Sequence, residues 1–143
     1  MRNKRQWGNY LQDRVAEYLE KRGYAVHNQK PVAHRVETPE GLKWTSKRND
    51  ILGCIDILAI HPEKRILFIQ VTGHSDIKGK ERKIKKIKWN LDFCEVMVWQ
   101  YMDKGRWRIF RLEKDGTGKA RLYLLGELRR GKLLIAPERE PIK

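Results

Sequence analysis

Asp56, Gln70 and Thr72 stand in two apolar runs, residues 49–60 and 66–73, where packing gives no reason for polar side chains. Between the runs lies His61-Pro62-Glu63-Lys64-Arg65, a polar turn with a strand-stopping proline. Asp56 and Gln70 are equally far from Glu63. Antiparallel pairing about that turn sets them opposite each other, about 5 Å apart at Cα. Side chains alternate with period two along a strand, so Thr72 shares the face of Gln70. A carboxylate, an amide oxygen and a hydroxyl then converge on one patch of an apolar sheet. Such a convergence marks a site, because buried polar groups are costly unless something uses them.

The charge balance says what such a site acts on. The chain of 143 residues has 32 Lys and Arg against 18 Asp and Glu, a net charge of +14. That surplus opposes compaction and favours a polyanionic partner, nucleic acid before an acidic membrane surface. No apolar run approaches the roughly 18 residues that span a bilayer. The basic start, Met1 to Trp7, lacks the apolar core and cleavage site of a signal peptide. An intracellular, soluble protein with no membrane partner is expected. Its length suits one domain over residues 1–143, with 136–143 as a tail. Cys54 and Cys94 lie in apolar segments without zinc-ligand spacing and read as buried thiols. His27, His34, His61 and His74 have no ligand spacing either, and only His74 is near Thr72 in sequence.

The elements that must position these residues follow from periodicity. Leu11, Val15, Tyr18 and Leu19 share one face of a helix over residues 6–22. Gln12 flanks that face, while Asp13, Glu17 and Glu20 turn away at about 100° per residue. Gly23 supplies the C-terminal cap and Tyr24 to His27 begin a strand. Thr38-Pro39-Glu40-Gly41 turns between two polar, edge-like strands. The central hairpin is apolar on both faces and so belongs inside the sheet. Gly73-His74-Ser75-Asp76 reads as a loop and cap before a cationic helix over residues 77–89. Residues 93–101 and 106–112 form two further strands around Asp103-Lys104-Gly105, and residues 120–135 fit either strands or a short helix. The expectation is an α/β fold: a mixed central sheet flanked by helices.

Leu19-Glu20-Lys21-Arg22-Gly23-Tyr24-Ala25-Val26 ending the first helix, Asp56 at a hairpin and Gln70-Val71-Thr72 on the next strand resemble the restriction-endonuclease-like, or PD-(D/E)XK, nucleases. Within them, the size and first helix are most similar to archaeal-type Holliday junction resolvases, including those carried by phages. The resemblance spans roughly residues 6–100 and rests on order and spacing. It implies a restriction-endonuclease-like fold, hydrolysis of phosphodiesters and dependence on Mg²⁺ or Mn²⁺. Asp56 matches the strand aspartate, Gln70 the Glu/Gln position, and Val71 would lend its carbonyl to the metal. Two positions depart from the pattern: Thr72 stands where a lysine is usual, and Gln12 where the resolvases have glutamate.

Mg²⁺ takes hard oxygen ligands, often one or two carboxylates completed by water and substrate phosphate. Asp56, Gln70 and the Val71 carbonyl suit one weakly held ion. Asp50 is a spare ligand, about 20 Å from Asp56 along a regular strand unless a bend at Gly53 brings it near. Thr72 cannot replace an ammonium, so Lys78, Lys80, Lys83 and Lys86 become candidates for that charge. Expected DNA contacts are Arg2, Lys4 and Arg5 at the start, Lys47 and Arg48 before the central run, and Lys78, Lys80, Arg82, Lys83 and Lys86 on the basic helix. The tryptophans suit the core, which leaves recognition to backbone and shape. The resemblance implies a homodimer cutting branched DNA at two symmetric sites. Two alternatives stay open: a DNA-binding module that has lost its chemistry, and a restriction-type nuclease for unbranched duplex.

Overall fold

The computed structural model describes residues 4–30, 32–47, 50–73 and 77–135; for Lys4, Arg5, residues 32–36 and 43–47, and Ile135, the backbone alone is described. Helix α1 spans Lys4–Glu20 and is followed by strands β1 Ala25–Asn28, β2 Val32–Thr38, β3 Gly41–Lys47, β4 Ile57–His61 and β5 Lys64–Thr72. Helix α2, Ile77–Lys85, precedes β6 Cys94–Asp103, β7 Arg106–Lys114, β8 Ala120–Arg129 and β9 Lys132–Ile135. Seven strands form one sheet in the order β1-β4-β5-β6-β7-β8-β9, and β2 and β3 form a separate two-stranded ribbon. Among the described strands only β5 and β6 pair in parallel, joined by the crossover through α2. The expected α/β architecture, a mixed central sheet with helices packed on it, is the one found.

Each face of the sheet has its own core. Leu11, Val15, Ala16 and Leu19 of α1 pack against Ile57, Ala59, Leu67, Ile69, Met97, Trp99, Trp107, Ile109 and Leu128. On the other face, Ile84 of α2 packs with Cys54, Ile55, Cys94, Val96, Val98, Phe110, Leu112 and Leu122. Alternation along β5 and β6 therefore decides which face each polar side chain joins.

Helix α1 ends as expected. Gly23 has φ +90°, its N–H donates to the Glu20 carbonyl, and the Tyr24 N–H reaches back to Leu19. This is a Schellman cap, with Tyr24 packed on the same core as Leu19. A side chain at Gly23 would also come within 3.3 Å of His61 in the β4–β5 hairpin.

Two elements differ from the expectation. Helix α2 stops at Lys85, because the Lys86 and Ile87 amides bond three residues back and the Trp89 indole donates to the Ile84 carbonyl. Ile87 and Trp89 still reach the core from the turn that follows. The run 49–60 is not one strand. Ile51 bonds back to Ile55, with left-handed Leu52 (φ 54°) and Gly53 (φ 79°) between them, and regular pairing begins only at Ile57. Residues 120–135, open in the sequence, are the hairpin β8–β9. The loop and cap read at His74, Ser75 and Asp76, and the tail at 136–143, lie outside the described residues.

Candidate functional site

The β4–β5 ladder has the register expected from the sequence, with Ile57 opposite Ile69 and a bulge near the turn between Ala59 and His61. Asp56 stands just before the regular ladder. Its N–H donates to the Ile69 carbonyl at 3.0 Å, and its own carbonyl accepts the Gln29 N–H at 2.8 Å. Its carboxylate accepts the Val71 N–H at 2.8 Å. Asp56 thus brackets Gln70 from both sides, and three backbone contacts fix where its charge lies.

Gln70 and Thr72 follow Phe68 on the α2 face, since Leu67, Ile69 and Val71 belong to the α1 core. Parallel pairing sets Thr72 beside Gln100, which follows Val96 and Val98 on that same face. Gln100 in turn pairs with Arg108 on β7. The apolar face thus gives way to a polar row at the carboxyl ends of β5 and β6.

Helix α1 begins at this end of the sheet. Trp7 meets the Tyr101 ring edge-on at 5.5 Å, and its indole lies 3.9 Å from where a Cβ on Gly73 would stand. Asp13 accepts from Asn28 at 3.0 Å and pairs with Lys30 at 2.6 Å, beside the Asn28–Ile57 pairing. Gln12 is carried inward by the same turn of helix.

Among the described residues, five polar side chains are buried: Gln12, Asp56, Gln70, Thr72 and Gln100, each no more than 9% exposed. Four of them are the residues singled out from sequence. Gln100 was missed, although Val98-Trp99-Gln100-Tyr101 repeats the pattern of Ile69-Gln70-Val71, a glutamine closing an apolar strand. The Oε1 atoms of Gln12 and Gln70 have no hydrogen-bond partner. An unsatisfied buried acceptor costs about 1–3 kcal/mol. The Gln70 oxygen, on the strand beside Asp56, is a reason to expect a ligand there.

The tight turn at 51–55 brings Asp50 back toward Asp56, replacing the long separation of an extended strand. The buried Cys54 thiol registers the result. Its pKa is raised, first by burial and then by the charges of Asp50 and Asp56, while Lys83 opposes them. Cys54 is therefore held protonated and is no nucleophile.

Other expected contacts divide by element. Lys78, Arg82 and Lys83 are exposed on α2, Lys86 is exposed just beyond it, and Lys80 is half-buried. Glu81, the one acid in that run, turns inward and accepts the Leu122 N–H at 2.7 Å. Arg2 and Arg48 lie outside the described residues, and for Lys4, Arg5 and Lys47 only the backbone is described. Among the described residues, no group of three His, Cys, Asp or Glu side chains could hold a metal ion. No described helix is long and apolar enough to cross a membrane.

No family model and no curated protein matches the sequence. Among solved structures, the chain is similar to Hjc, a Holliday junction resolvase of the archaeal hyperthermophile Archaeoglobus fulgidus. The identity is 19%, the match covers 79% of this chain and 84% of that one, and the TM-score is 0.42. The functional reading rests instead on this chain's own residues.

Proposed function

We propose that the chain is a divalent-metal-dependent DNA endonuclease with a restriction-endonuclease-like active site, acting on branched DNA in the manner of the resolvases its motifs resemble. The observation that carries this reading is the buried, unpartnered Gln70 oxygen beside a carboxylate that the backbone holds in place. The donor set suits a hard cation. Asp56 would supply charge, Gln70 Oε1 and the Val71 carbonyl neutral oxygens, and Asp50 and Gln12 are the further oxygens this reading would add. With so few acids, affinity is expected to be low until a phosphate joins. Bound there, Mg²⁺ or Mn²⁺ would supply Lewis-acid stabilisation of phosphoryl charge and a more acidic water.

The chain's own residues do the rest. Asp56 and Gln70 orient the scissile phosphate from one side. Thr72 and Gln100 offer hydrogen bonds to its oxygens or to the attacking water. Lys83 is one candidate for the ammonium missing at Thr72, as an exposed cation of the helix that follows the site. Exposed cations of α2 hold neighbouring phosphates. A homodimer would present two such sites to the two strands of a junction.

The second reading is a DNA-binding module without chemistry, favoured by Gln12 and Thr72 in the places of an acid and a lysine. One experiment separates the two. A labelled four-way junction and a matched linear duplex are incubated with the protein in Mg²⁺, Mn²⁺ or EDTA, beside Asp56→Ala. Paired nicks near the branch point that vanish with EDTA and with the substitution are expected. Tight junction binding with no metal-dependent cut would select the module, and cleavage of the duplex at defined sequences would select a restriction-type nuclease.

A further inference from the structure

Two hairpin tips stand side by side beyond the polar row. Strands β6 and β7 turn through Lys104 and Gly105 (φ 47° and 73°), and β8 and β9 through Arg130 and Gly131 (φ 47° and 79°). Two-residue turns with both φ positive favour Asn, Asp or Gly at the first position. Here a long cation stands there twice, in a conformation that L residues adopt at a cost of about 1 kcal/mol. Directly behind the tips, Arg106 pairs with Arg129 across the two strands. Like charges in that relation are destabilising.

Counter-charge relieves this arrangement only in part. Asp103 binds Arg106 at 2.8 Å and Glu127 binds Arg129 at 2.8 Å. Among the described residues, Lys104 and Arg130 have no acidic partner. Together with Asp103, Arg106 and Arg129 they line an open cavity of about 630 Å³. Local packing offers no reason for such a concentration of cations.

Its orientation supplies one. Trp107, Ile109 and Leu128 belong to the α1 core, so Arg106, Arg108 and Arg129 project from the opposite face, the face of Gln70, Thr72 and Gln100. Arg108 pairs with Gln100, and Lys104 follows Gln100 by four residues, about 13 Å of extended strand. A nucleic-acid strand advances about 3.4 Å along the helix axis per phosphate, so that distance is roughly four phosphates.

We propose that the paired tips of β6–β7 and β8–β9 are a phosphate-binding rim, which grips the DNA backbone a few nucleotides from the Asp56–Gln70 site. This inference rests on the reading of that site as one acting on DNA. It places a second cationic surface on the β7–β9 side, apart from the basic helix α2. DNA crossing the site is then held from two sides, which suits a branched substrate whose arms diverge.

The test is equilibrium binding of the full chain to a fluorescent four-way junction over a range of salt. In Lys104→Asn/Arg130→Asn both charges go, while asparagine tolerates the left-handed turn and so keeps the hairpins. The slope of log K against log salt is expected to fall in magnitude by about 1.8, the value for two phosphate contacts. Lys104→Arg/Arg130→Lys should keep the wild-type slope. Lys114→Asn/Lys119→Asn, which removes the same charge at the far end of the sheet, should keep it as well.

A wild-type slope in the Lys104→Asn/Arg130→Asn protein overturns the rim. So does an equal drop in the Lys114→Asn/Lys119→Asn control, since that would be an effect of net charge alone. Unchanged DNA binding with lost binding to phosphatidylserine vesicles would assign the tips to a membrane surface instead. A wild-type protein that binds no DNA would defeat the reading of the active site, a result distinct from failure of the rim.

Discussion

At the amino-terminal end of the β5–β6 pair, Arg111 lies between Glu95 at 2.8 Å and Glu113 at 3.0 Å, and Arg65 reaches Glu95 at 3.4 Å. A second bond from Arg65 goes to the Leu91 carbonyl at 2.8 Å. At the carboxyl-terminal end of β5, Gln70 buries an oxygen with no partner among the described residues. The satisfied end also has a hollow, about 510 Å³ lined in part by Arg65, Trp89, Glu95 and Arg111. We nevertheless place function at the other end. Arg111 shows why: burial opposes its charge, yet hydrogen bonds and ion pairs with Glu95 and Glu113 outweigh burial and raise its pKa. A network that meets its own needs has little left to offer a ligand. Unmet hydrogen-bonding capacity at a fixed carboxylate is the better guide to chemistry.

Substitutions at the two ends should separate cleanly. The largest effect is expected from Asp56→Asn, which keeps the side-chain shape but removes the charge. Junction cleavage should fall about a thousandfold, or roughly 4 kcal/mol of barrier, while junction affinity stays within a few-fold. Single-turnover kinetics beside a binding titration would check both halves, and lost binding by a folded variant would contradict the role given to Asp56.

At the opposite end, Arg111→Met leaves Glu95 and Glu113 without their shared partner. A loss of about 2 kcal/mol in stability is expected, or a fall of several degrees in Tm, with cleavage per folded molecule unchanged. A clear loss of kcat in this variant would erase the distinction between the ends.

Gln12→Leu and Gln70→Met sharpen the comparison through opposite signs. Each removes an unpartnered buried oxygen, so stability should rise by about 1 kcal/mol while metal-dependent cleavage is lost. Gln12→Glu should strengthen Mn²⁺ binding, followed by calorimetry. If the leucine and methionine variants were both destabilised, the oxygens would have partners and the site would lose its main support.

The smallest effect is alkaline. Burial, first among the causes, raises the pKa of Cys54, Cys94 and Tyr24 above their ordinary values of 9.0, 9.0 and 10.0. Above about pH 9 the unfolded chain releases these protons while the native state still holds them, so ν_U falls below ν_N and stability declines with pH. Below that range the contribution is fully present. Urea midpoints taken on either side of pH 9 should show the decline, and Cys54→Ala should reduce it.

Local rules made part of this molecule legible. The cap at Gly23, the pairing of Ile57 with Ile69 and the shared face of Gln70 and Thr72 depend on neighbours within a hairpin or a helical turn. Periodicity and turn chemistry capture such relations. The end of α2 was harder to read, because Trp89 closes it through a side-chain bond to a backbone carbonyl that no helical period announces. The turn at 51–55 was harder still. Its residues are apolar and strand-like, and left-handed Leu52 gives no sign in the sequence.

Sequence alone pointed to a carboxylate, an amide and a hydroxyl meeting on one patch of a basic α/β protein, because two-residue alternation about a short turn sets them there. Only the tertiary structure decided that Gln100 joins them, since the parallel register of β5 and β6 is set by a crossover through α2. It alone folded Asp50 back toward Asp56 through the turn at 51–55, left the oxygens of Gln12 and Gln70 unpaired, and aligned the tips at Lys104 and Arg130. Those outcomes depend on contacts between residues far apart in the chain, which packing settles and local pattern cannot.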